Sequence, residues 1–422
     1  MSAVLTAADL ARLDARLAPT DRLLEVAYPG DGGERQPVHT VYVPADRFTP
    51  DLAARWGEQA LAAVAQAGGM EQLASQTGIA DALVAPIAAR VRAKLESEPI
   101  EDLRLDFEDG YGDRGSAEDD DALRAASQVA AAVAQGSAPP FIGIRFKCLE
   151  KPTRRRGLRT LDLFLGALLD AGGLPDGLVL TLPKVTTVAQ VEAMADAADA
   201  LEQAHGLAPG RLRFEVQVET PQLVLGADGR SPLARLPTAV PGRISGLHYG
   251  TYDYSAALGI AAHHQSMEHP AADLAKEIMQ LAVAGTGIRL SDGSTNILPV
   301  GDRAAEAWRL HARLVRRSLE RGFFQGWDLH PHQLPTRFLA TYAFYRSGYA
   351  EAAKRLRAYR ERIEGAVLDE PATARALAWF VLRGLQCAAI GTDEVLADVG
   401  IDEEALASLA HPRRGADGGA AV

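Results

Sequence analysis

The chain reads GLVLTLPKV at residues 177–185 and RFEVQVETP at residues 213–221, two apolar runs separated by an Ala- and Leu-rich segment. Six further runs have the same character: VHTVYVP (38–44), LRLDFEDG (103–110), FIGIRFK (141–147), RISGLHYGTYD (243–253), TGIRLSDG (286–293) and FFQGWDLHP (323–331). Polar residues end seven successive runs at intervals of 34 to 39 residues: Asp106, Arg145, Lys184, Glu219, Asp253, Asp292 and His330. That interval fits one strand, one crossover helix and two loops, repeated along the chain.

Eight strands that alternate with helices imply parallel pairing. Right-handed crossovers repeated eight times close most simply into a (β/α)8 TIM barrel. An open, doubly wound sheet is the alternative. It is the weaker prediction because no GxGxxG motif follows the first strand and the intervals show no break where the strand order would switch.

Helical additions flank and interrupt the repeat. We expect a capped helix at the amino end, with the pattern Thr6-x-x-Asp9, and an insertion whose first helix starts at Thr49-Pro50. The predicted segments are an N-terminal extension (1–37), the barrel (38–335) with a helical insertion at about 49–100, a C-terminal helical extension (336–410) and a disordered tail (411–422).

Composition narrows the class of protein. A net charge of −11 argues against a nucleic-acid footprint, and two cysteines without a metal-ligand spacing argue against a disulfide framework. The start of the chain is amphipathic rather than signal-like, and the late apolar segment 371–390 contains Arg375 and Arg383. We therefore expect a cytoplasmic protein that binds neither membrane nor nucleic acid.

Acidic residues follow several of the predicted strands. Barrel enzymes place their sites at the carboxyl ends of strands, where these side chains would repel one another unless a hard cation or protons intervened. The acids concerned are Asp106, Glu108, Asp109, Glu219, Asp253 and Asp292. No spacing suits zinc and no DxDxDG loop suits calcium, whereas Mg²⁺ needs only one or two carboxylates. The sequence predicts a Mg²⁺ site, with Mn²⁺ as the alternative ion.

Eight motifs resemble, in order, those of the citrate lyase beta-subunit-like proteins of the HpcH/HpaI aldolase superfamily, which includes malyl-CoA and citramalyl-CoA lyases. The matching segments are VYVPADR, LDFEDG, GIRF, LPKV, VQVETP, GLHYGTYDYSAALGI, LSDG and LHPHQLP. The resemblance covers about residues 38–335, and eight motifs in register are far more specific than any one.

The resemblance implies roles for individual residues. Glu219 and Asp253 match the magnesium ligands, Arg145 matches the residue that binds a substrate carboxylate or carbonyl oxygen, and Glu108 and Asp109 match the acids that hold metal-bound water. Substrate contacts are expected at four further residues: Thr220, Pro221, Gly250 and Thr251. The implied reaction is aldol or Claisen-type cleavage or formation of a small 2-oxo or hydroxy acid, or of its CoA thioester.

One motif departs from the family pattern. Where the family usually reads FGPAD, this chain reads HYGTYD at residues 248–253. The difference predicts a changed pocket, so a particular substrate of the family cannot be assigned to this chain. Related barrels often assemble, so we also expect a homo-oligomer, with the C-terminal helices as a candidate surface.

Several alternatives remain open from the sequence. Lys184 at a strand end could form a Schiff base with a carbonyl substrate, or pair with a barrel acid. His330 could act as a base or shape the turn after the eighth strand. The basic segment KPTRRRGLR (151–159) could bind a CoA phosphate or be solvated charge. For the chain as a whole, a barrel that binds a ligand without catalysis is a further alternative, because fold alone does not establish activity.

Overall fold

A computed structural model describes residues 4–361 and 370–411 of the chain. Its eight strands are β1 His39–Pro44, β2 Asp102–Asp106, β3 Phe141–Arg145, β4 Leu178–Leu182, β5 Phe214–Val218, β6 Ile244–Tyr249, β7 Arg289–Ser291 and β8 Gly326–Asp328. Every pair from β1–β2 to β6–β7 is parallel, and β8 pairs with β1. A parallel bridge between Ser291 and Gln325 joins β7 to the start of β8. The structure thus confirms the (β/α)8 barrel.

Helices cover the outside of the barrel and fill both additions. They are α1 Ala7–Ala27, α2 Leu52–Gln66, α3 Met70–Gln76, α4 Asp81–Ser97, α5 Ala117–Ala134, α6 Arg154–Asp170, α7 Val188–His205, α8 Pro221–Val224, α9 Leu236–Ala239, α10 Thr251–Ala257, α11 Pro270–Val283, α12 Ala304–Glu320, α13 Leu334–Glu361, α14 Pro371–Gln386, α15 Thr392–Val399 and α16 Glu403–Ala410. Thr6 and Asp9 form the predicted capping box. Helix α2 begins at Leu52, slightly later than the predicted start at Thr49-Pro50.

The crossover between β5 and β6 differs from the expected single helix. It contains only the four-residue helices α8 and α9, with a short 3₁₀ helix at Pro232–Arg235 between them. Proline and glycine recur through its sequence, PQLVLGADGRSPLARLPTAVPG, and both residue types interrupt α-helices. The repeat interval therefore predicted where β6 begins but did not predict the structure of the connection before it.

The C-terminal addition is anchored to the insertion in the first crossover. Helix α13 packs against α2 and α4 of the insertion and against α14 and α15 of the addition. Most of the predicted tail, from residue 412 onward, lies outside the described residues. Across the two described ranges, no helix has both the length and the apolar character needed to cross a bilayer.

Charged side chains fill part of the barrel interior. Alternation along β2 turns Asp102, Arg104 and Asp106 to the same side, and Arg104 is completely buried. Its guanidinium donates to Asp102 and, at 2.6 Å, to Glu215 of β5. Asp106 is the last residue of β2 and the next after Arg104 to face the interior. The ion-paired layer therefore lies below the carboxyl ends of the strands.

Candidate active site

Three carboxylates surround one ammonium group at the carboxyl ends of the strands. The Nζ atom of Lys184 lies 2.8 Å from Oε1 of Glu108, 2.6 Å from Oδ1 of Asp109 and 3.9 Å from Oδ1 of Asp253. These acids come from the loop after β2 and from α10, which the barrel brings together. The structure therefore places a positive charge among acids far apart in the sequence.

Glu219 joins this group from the end of β5. Its side chain is buried, with 2% of the residue exposed, and its Oε1 accepts the Lys184 backbone N–H at 2.7 Å. Burial, reinforced by the charge of Asp253, raises the pKa of Glu219 to about 8 although Arg145 opposes the shift. A cation bound beside this carboxylate would offset the cost of its ionisation.

Gly250 gives Glu219 its space. A Cβ atom at residue 250 would lie 2.5 Å from both Cβ and Oε2 of Glu219, which is closer than real side chains approach. The glycine is therefore explained by close approach and not by unusual backbone torsion, since its φ is −99°.

Asp253 lies in the first turn of α10, with 48% of its side chain exposed. Two neighbours fix the start of this helix to the loop after β7. The Thr251 hydroxyl accepts the Ser294 N–H at 3.3 Å, and the Tyr252 phenol oxygen accepts the Asn296 N–H at 2.5 Å. The residues that depart from the family motif thus anchor the helix that carries Asp253.

Arg145 faces the acids from β3. Its Nε and Nη2 atoms donate to the two carboxylate oxygens of Asp106 at 2.7 and 2.8 Å, and its Nη1 lies 3.6 Å from Oε2 of Glu108. Its guanidinium carbon lies 4.8 Å from the centre of the Tyr42 ring. The fork to Asp106 fixes the guanidinium plane and leaves Nη1 directed toward the cluster.

The adjacent acids Glu108 and Asp109 differ in protonation. Burial raises the pKa of Glu108 to about 7, even though Arg145 opposes the shift. Burial also disfavours ionised Asp109, but hydrogen bonds from Glu108 and Lys184 hold the pKa of Asp109 below its ordinary value. One acid of the pair is thus ionised at neutral pH while the other is near its midpoint.

Lys184 adopts an unusual backbone conformation, with φ of +49°, one of two positive φ values among the described non-glycine residues. This geometry lets its N–H reach Glu219 while its ammonium reaches Glu108 and Asp109. Burial opposes the charged form, yet those two acids hold the pKa of Lys184 above its ordinary value. A Schiff-base lysine needs the opposite shift, so the ion-pair alternative describes the structure.

Residues 17–414 match the protein family described as a domain of unknown function, DUF6986. The chain belongs to this family. No curated protein matches it.

The structure is also similar to solved structures of other proteins. A citrate lyase from Burkholderia xenovorans is 19% identical, with 86% of this chain and 96% of that chain covered and a TM-score of 0.57. A Mycobacterium tuberculosis citrate lyase beta subunit complexed with oxaloacetate and magnesium is 18% identical over 74% of this chain and 98% of that one, with a TM-score of 0.44. Haloferax volcanii malate synthase in a lead(II) complex is 17% identical over 71% and 84%, with a TM-score of 0.48. At these identities the similarity is one of fold, which agrees with the barrel that the motifs led us to expect.

Two of the predicted site acids are paired with other side chains of the protein. Asp106 accepts both donors of Arg145 and also the N–H groups of Glu108 and Gly110 at 3.0 and 2.8 Å. Asp292 is paired with Lys276 of α11 at 3.0 Å and accepts the Ser318 hydroxyl at 2.6 Å. Asp106 organises the site, whereas the Asp292 carboxylate turns toward the surrounding helices and does not join the cluster.

His330 and the residues after Glu219 also contact backbone. The Nδ1 atom of His330 accepts the His332 N–H at 3.1 Å, and burial lowers the pKa of His330. Thr220 donates to the Val185 carbonyl at 2.5 Å, and Pro221 begins α8. These contacts shape the turns after β8 and β5, in agreement with the turn-shaping alternative for His330.

The basic segment 151–159 is partly neutralised. Arg156 and Arg159 both bind Asp119 of α5, with Arg159 Nη2 2.6 Å from its Oδ2. Asp119, in the acidic first turn of α5, is therefore paired with the basic segment, which the sequence alone did not predict. Sequence reasoning also missed Ser294 and Asn296, whose only signal was the polar loop SDGSTN after the seventh strand.

Within residues 4–361 and 370–411, no three His, Cys, Asp or Glu side chains lie close enough together to hold a metal ion. A site built on Glu219 and Asp253 would therefore offer two protein ligands and leave the other positions to water or substrate. Mg²⁺ commonly binds with that number of carboxylates, whereas a fully protein-enclosed Ca²⁺ site does not.

Proposed function

We propose that this chain is a Mg²⁺-dependent carbon–carbon lyase or aldolase that cleaves or forms a small 2-oxo or hydroxy acid, or the CoA thioester of such an acid. The observation that carries the proposal is the grouping of Glu219 and Asp253 with Glu108, Asp109 and Arg145 at the carboxyl ends of the strands. The fold shared with citrate lyase and the order of the eight motifs support the same reaction class.

The donor set fits Mg²⁺. Glu219 and Asp253 supply oxygen ligands only, and Gly250 leaves room for the Glu219 carboxylate beside the start of α10. The Lys184 ammonium, 3.9 Å from Asp253, indicates that a positive charge is favourable at this place. Glu108 and Asp109 are positioned to accept hydrogen bonds from water, and Mn²⁺ would suit the same oxygen ligands. When bound, the metal supplies Lewis-acid stabilisation of an enolate or alkoxide oxygen.

Arg145 contributes a fixed positive charge for the substrate. Two of its donors are used by Asp106, which holds the guanidinium in one orientation, and Nη1 faces the acids. We infer that this donor binds the carboxylate or carbonyl oxygen of the substrate. Because the guanidinium is oriented before substrate arrives, little reorganisation is required as negative charge develops.

Lys184 orders the acids around the site. Its ammonium pairs with Glu108 and Asp109, and its backbone N–H fixes one oxygen of Glu219, leaving the other oxygen to face Gly250. We infer that Lys184 is a positioning residue rather than a nucleophile. The catalytic unit in this proposal is the barrel at 38–335; cytoplasmic location and homo-oligomerisation remain predictions.

Calorimetric titration with Mg²⁺ tests the proposal. The double variant Glu219→Ala, Asp253→Ala is expected to lose Mg²⁺ binding, while Asp302→Ala, an exposed acid before α12, keeps the affinity of the parent protein. Cleavage of a panel of 2-hydroxy acids and their CoA thioesters should then stop on addition of EDTA and resume with Mg²⁺. Equal Mg²⁺ affinity in the double variant and the parent would reject the assignment.

A further inference from the structure

Two adjoining cavities lie at the amino ends of the strands, at the opposite end of the barrel from the acids. Their volumes are about 380 and 410 Å³, which is within the range of small-molecule sites. Arg213, Ser245, Arg289 and Glu34 line both. Arg213 directly precedes β5, Ser245 lies in β6 and Arg289 begins β7, so three neighbouring strands bring these side chains together.

Ser245 occupies an irregularity in the sheet. Phe214 pairs with Ile244 and Glu215 pairs with Gly246, which leaves Ser245 as an extra residue between them. Such bulges redirect a side chain. The Ser245 hydroxyl is buried and has no hydrogen-bond partner in the part of the chain that the structure describes. A buried polar group left without a partner destabilises the folded protein, so a bound acceptor would stabilise it.

The two arginines beside Ser245 are poorly neutralised. The Arg213 side chain is exposed and makes no hydrogen bond or ion pair among the described residues, while Arg289 pairs with Glu34 at 3.4 Å. The Glu34 side chain is 73% exposed, and hence free to move away. Burial, together with the charges of Arg383 and Arg213, holds the pKa of Arg289 below its ordinary value even though Glu34 and Asp31 oppose this shift. Asp31, Asp102, Asp176 and Glu215 also line these cavities, but among the described residues none of them lies within ion-pair distance of Arg213 or Arg289.

We propose that Arg213, Ser245 and Arg289 form a binding site for an oxyanion of the phosphate class, either inorganic phosphate or the phosphoryl group of a larger ligand. Guanidinium groups present paired donors that match phosphate oxygens, and the Ser245 hydroxyl supplies a third donor. The bound anion would neutralise both arginines and satisfy the orphan hydroxyl. This site is separate from the acids of the proposed metal site and does not depend on the proposed reaction.

Isothermal titration at constant ionic strength, with inorganic phosphate and with AMP as probes, tests the site. Arg213→Gln and Arg289→Gln are expected to weaken binding at least tenfold, and Ser245→Ala several-fold. Arg92→Gln, an exposed arginine of α4, is the matched control and should bind like the parent protein. Binding of phosphate alone identifies the free anion as ligand, and tighter binding of AMP identifies a phosphoryl group on a larger molecule.

Ser245→Ala keeps the test informative if an arginine variant fails to fold. Alanine removes a buried hydroxyl that lacks a partner, so this variant should be at least as stable as the parent while binding phosphate more weakly. All the variants should retain Mg²⁺ affinity. Absence of binding of both probes to the parent protein, or equal binding by the parent and the folded variants, would overturn the proposal.

Discussion

Replacing Glu219 with Gln is expected to remove a pH dependence of stability that the metal-free protein otherwise has. In the folded chain the pKa of Glu219 is about 8, whereas an exposed glutamate in the unfolded chain has a pKa of about 4.3. Between these values the folded state retains a proton that the unfolded state has lost. The free energy of unfolding therefore falls as pH rises through this window.

The size of the effect follows from the same shift. Each unit of pKa difference corresponds to about 1.4 kcal/mol, so the window sets an upper limit of roughly 5 kcal/mol. Movement of the Lys184 ammonium toward the ionised Glu219 carboxylate would reduce this loss of stability. Glutamine has the shape of the protonated acid and its carbonyl can still accept the Lys184 N–H. The variant is therefore expected to be more stable than the parent at pH 8 in EDTA, and about equally stable at pH 5.

Urea unfolding in EDTA at intervals from pH 5 to pH 9 measures the difference. Groups that titrate alike in both proteins cancel when the two free energies are subtracted. Mg²⁺ at about 100 times its dissociation constant should then stabilise the parent by about 2.7 kcal/mol and leave the variant unchanged. Parallel pH profiles for the two proteins, or equal stabilisation of both by Mg²⁺, would refute the reasoning.

Three further outcomes are expected. Gly250→Ala places a methyl group 2.5 Å from Glu219 Oε2 and should lower Mg²⁺ affinity at least tenfold in calorimetry, with an unchanged circular dichroism spectrum. Arg145→Met leaves the buried Asp106 carboxylate without its partner and should cost about 3–5 kcal/mol in urea unfolding at pH 7. Borohydride treatment with pyruvate should leave no adduct on Lys184 by mass spectrometry, because its ammonium is held charged by two acids; a trapped adduct would restore the Schiff-base alternative.

The barrel could be predicted because its signal is repetitive. Each strand buries both faces of a parallel sheet and needs a helix before the next, so apolar runs return at a nearly constant interval. The interval says nothing about the connection itself. Between β5 and β6 the prolines at 221, 232 and 237 replaced the expected helix with short turns, although the next strand still began where the repeat required.

Predicting side-chain direction at the strand ends was harder. Asp292 and Glu219 each follow a strand by one residue, yet Glu219 faces the cluster and Asp292 binds Lys276. A shift of one residue turns a side chain to the other face, and sequence spacing does not define where a three-residue strand stops. The Lys276 partner lies in the preceding helix, where nothing in the sequence marks it as buried.

The two ends of the barrel carry clusters of opposite charge, acidic at the carboxyl ends of the strands and basic at the amino ends. At the carboxyl end, Lys184 and Arg145 are the described cations that contact the acids; at the amino end, Glu34 is the one described acid within ion-pair distance of Arg213 or Arg289. Between the ends lies the ion-paired layer of Arg104, whose carboxylate partners already satisfy it. We therefore expect ligands of opposite charge at the two ends, the proposed divalent cation at one and the proposed oxyanion at the other.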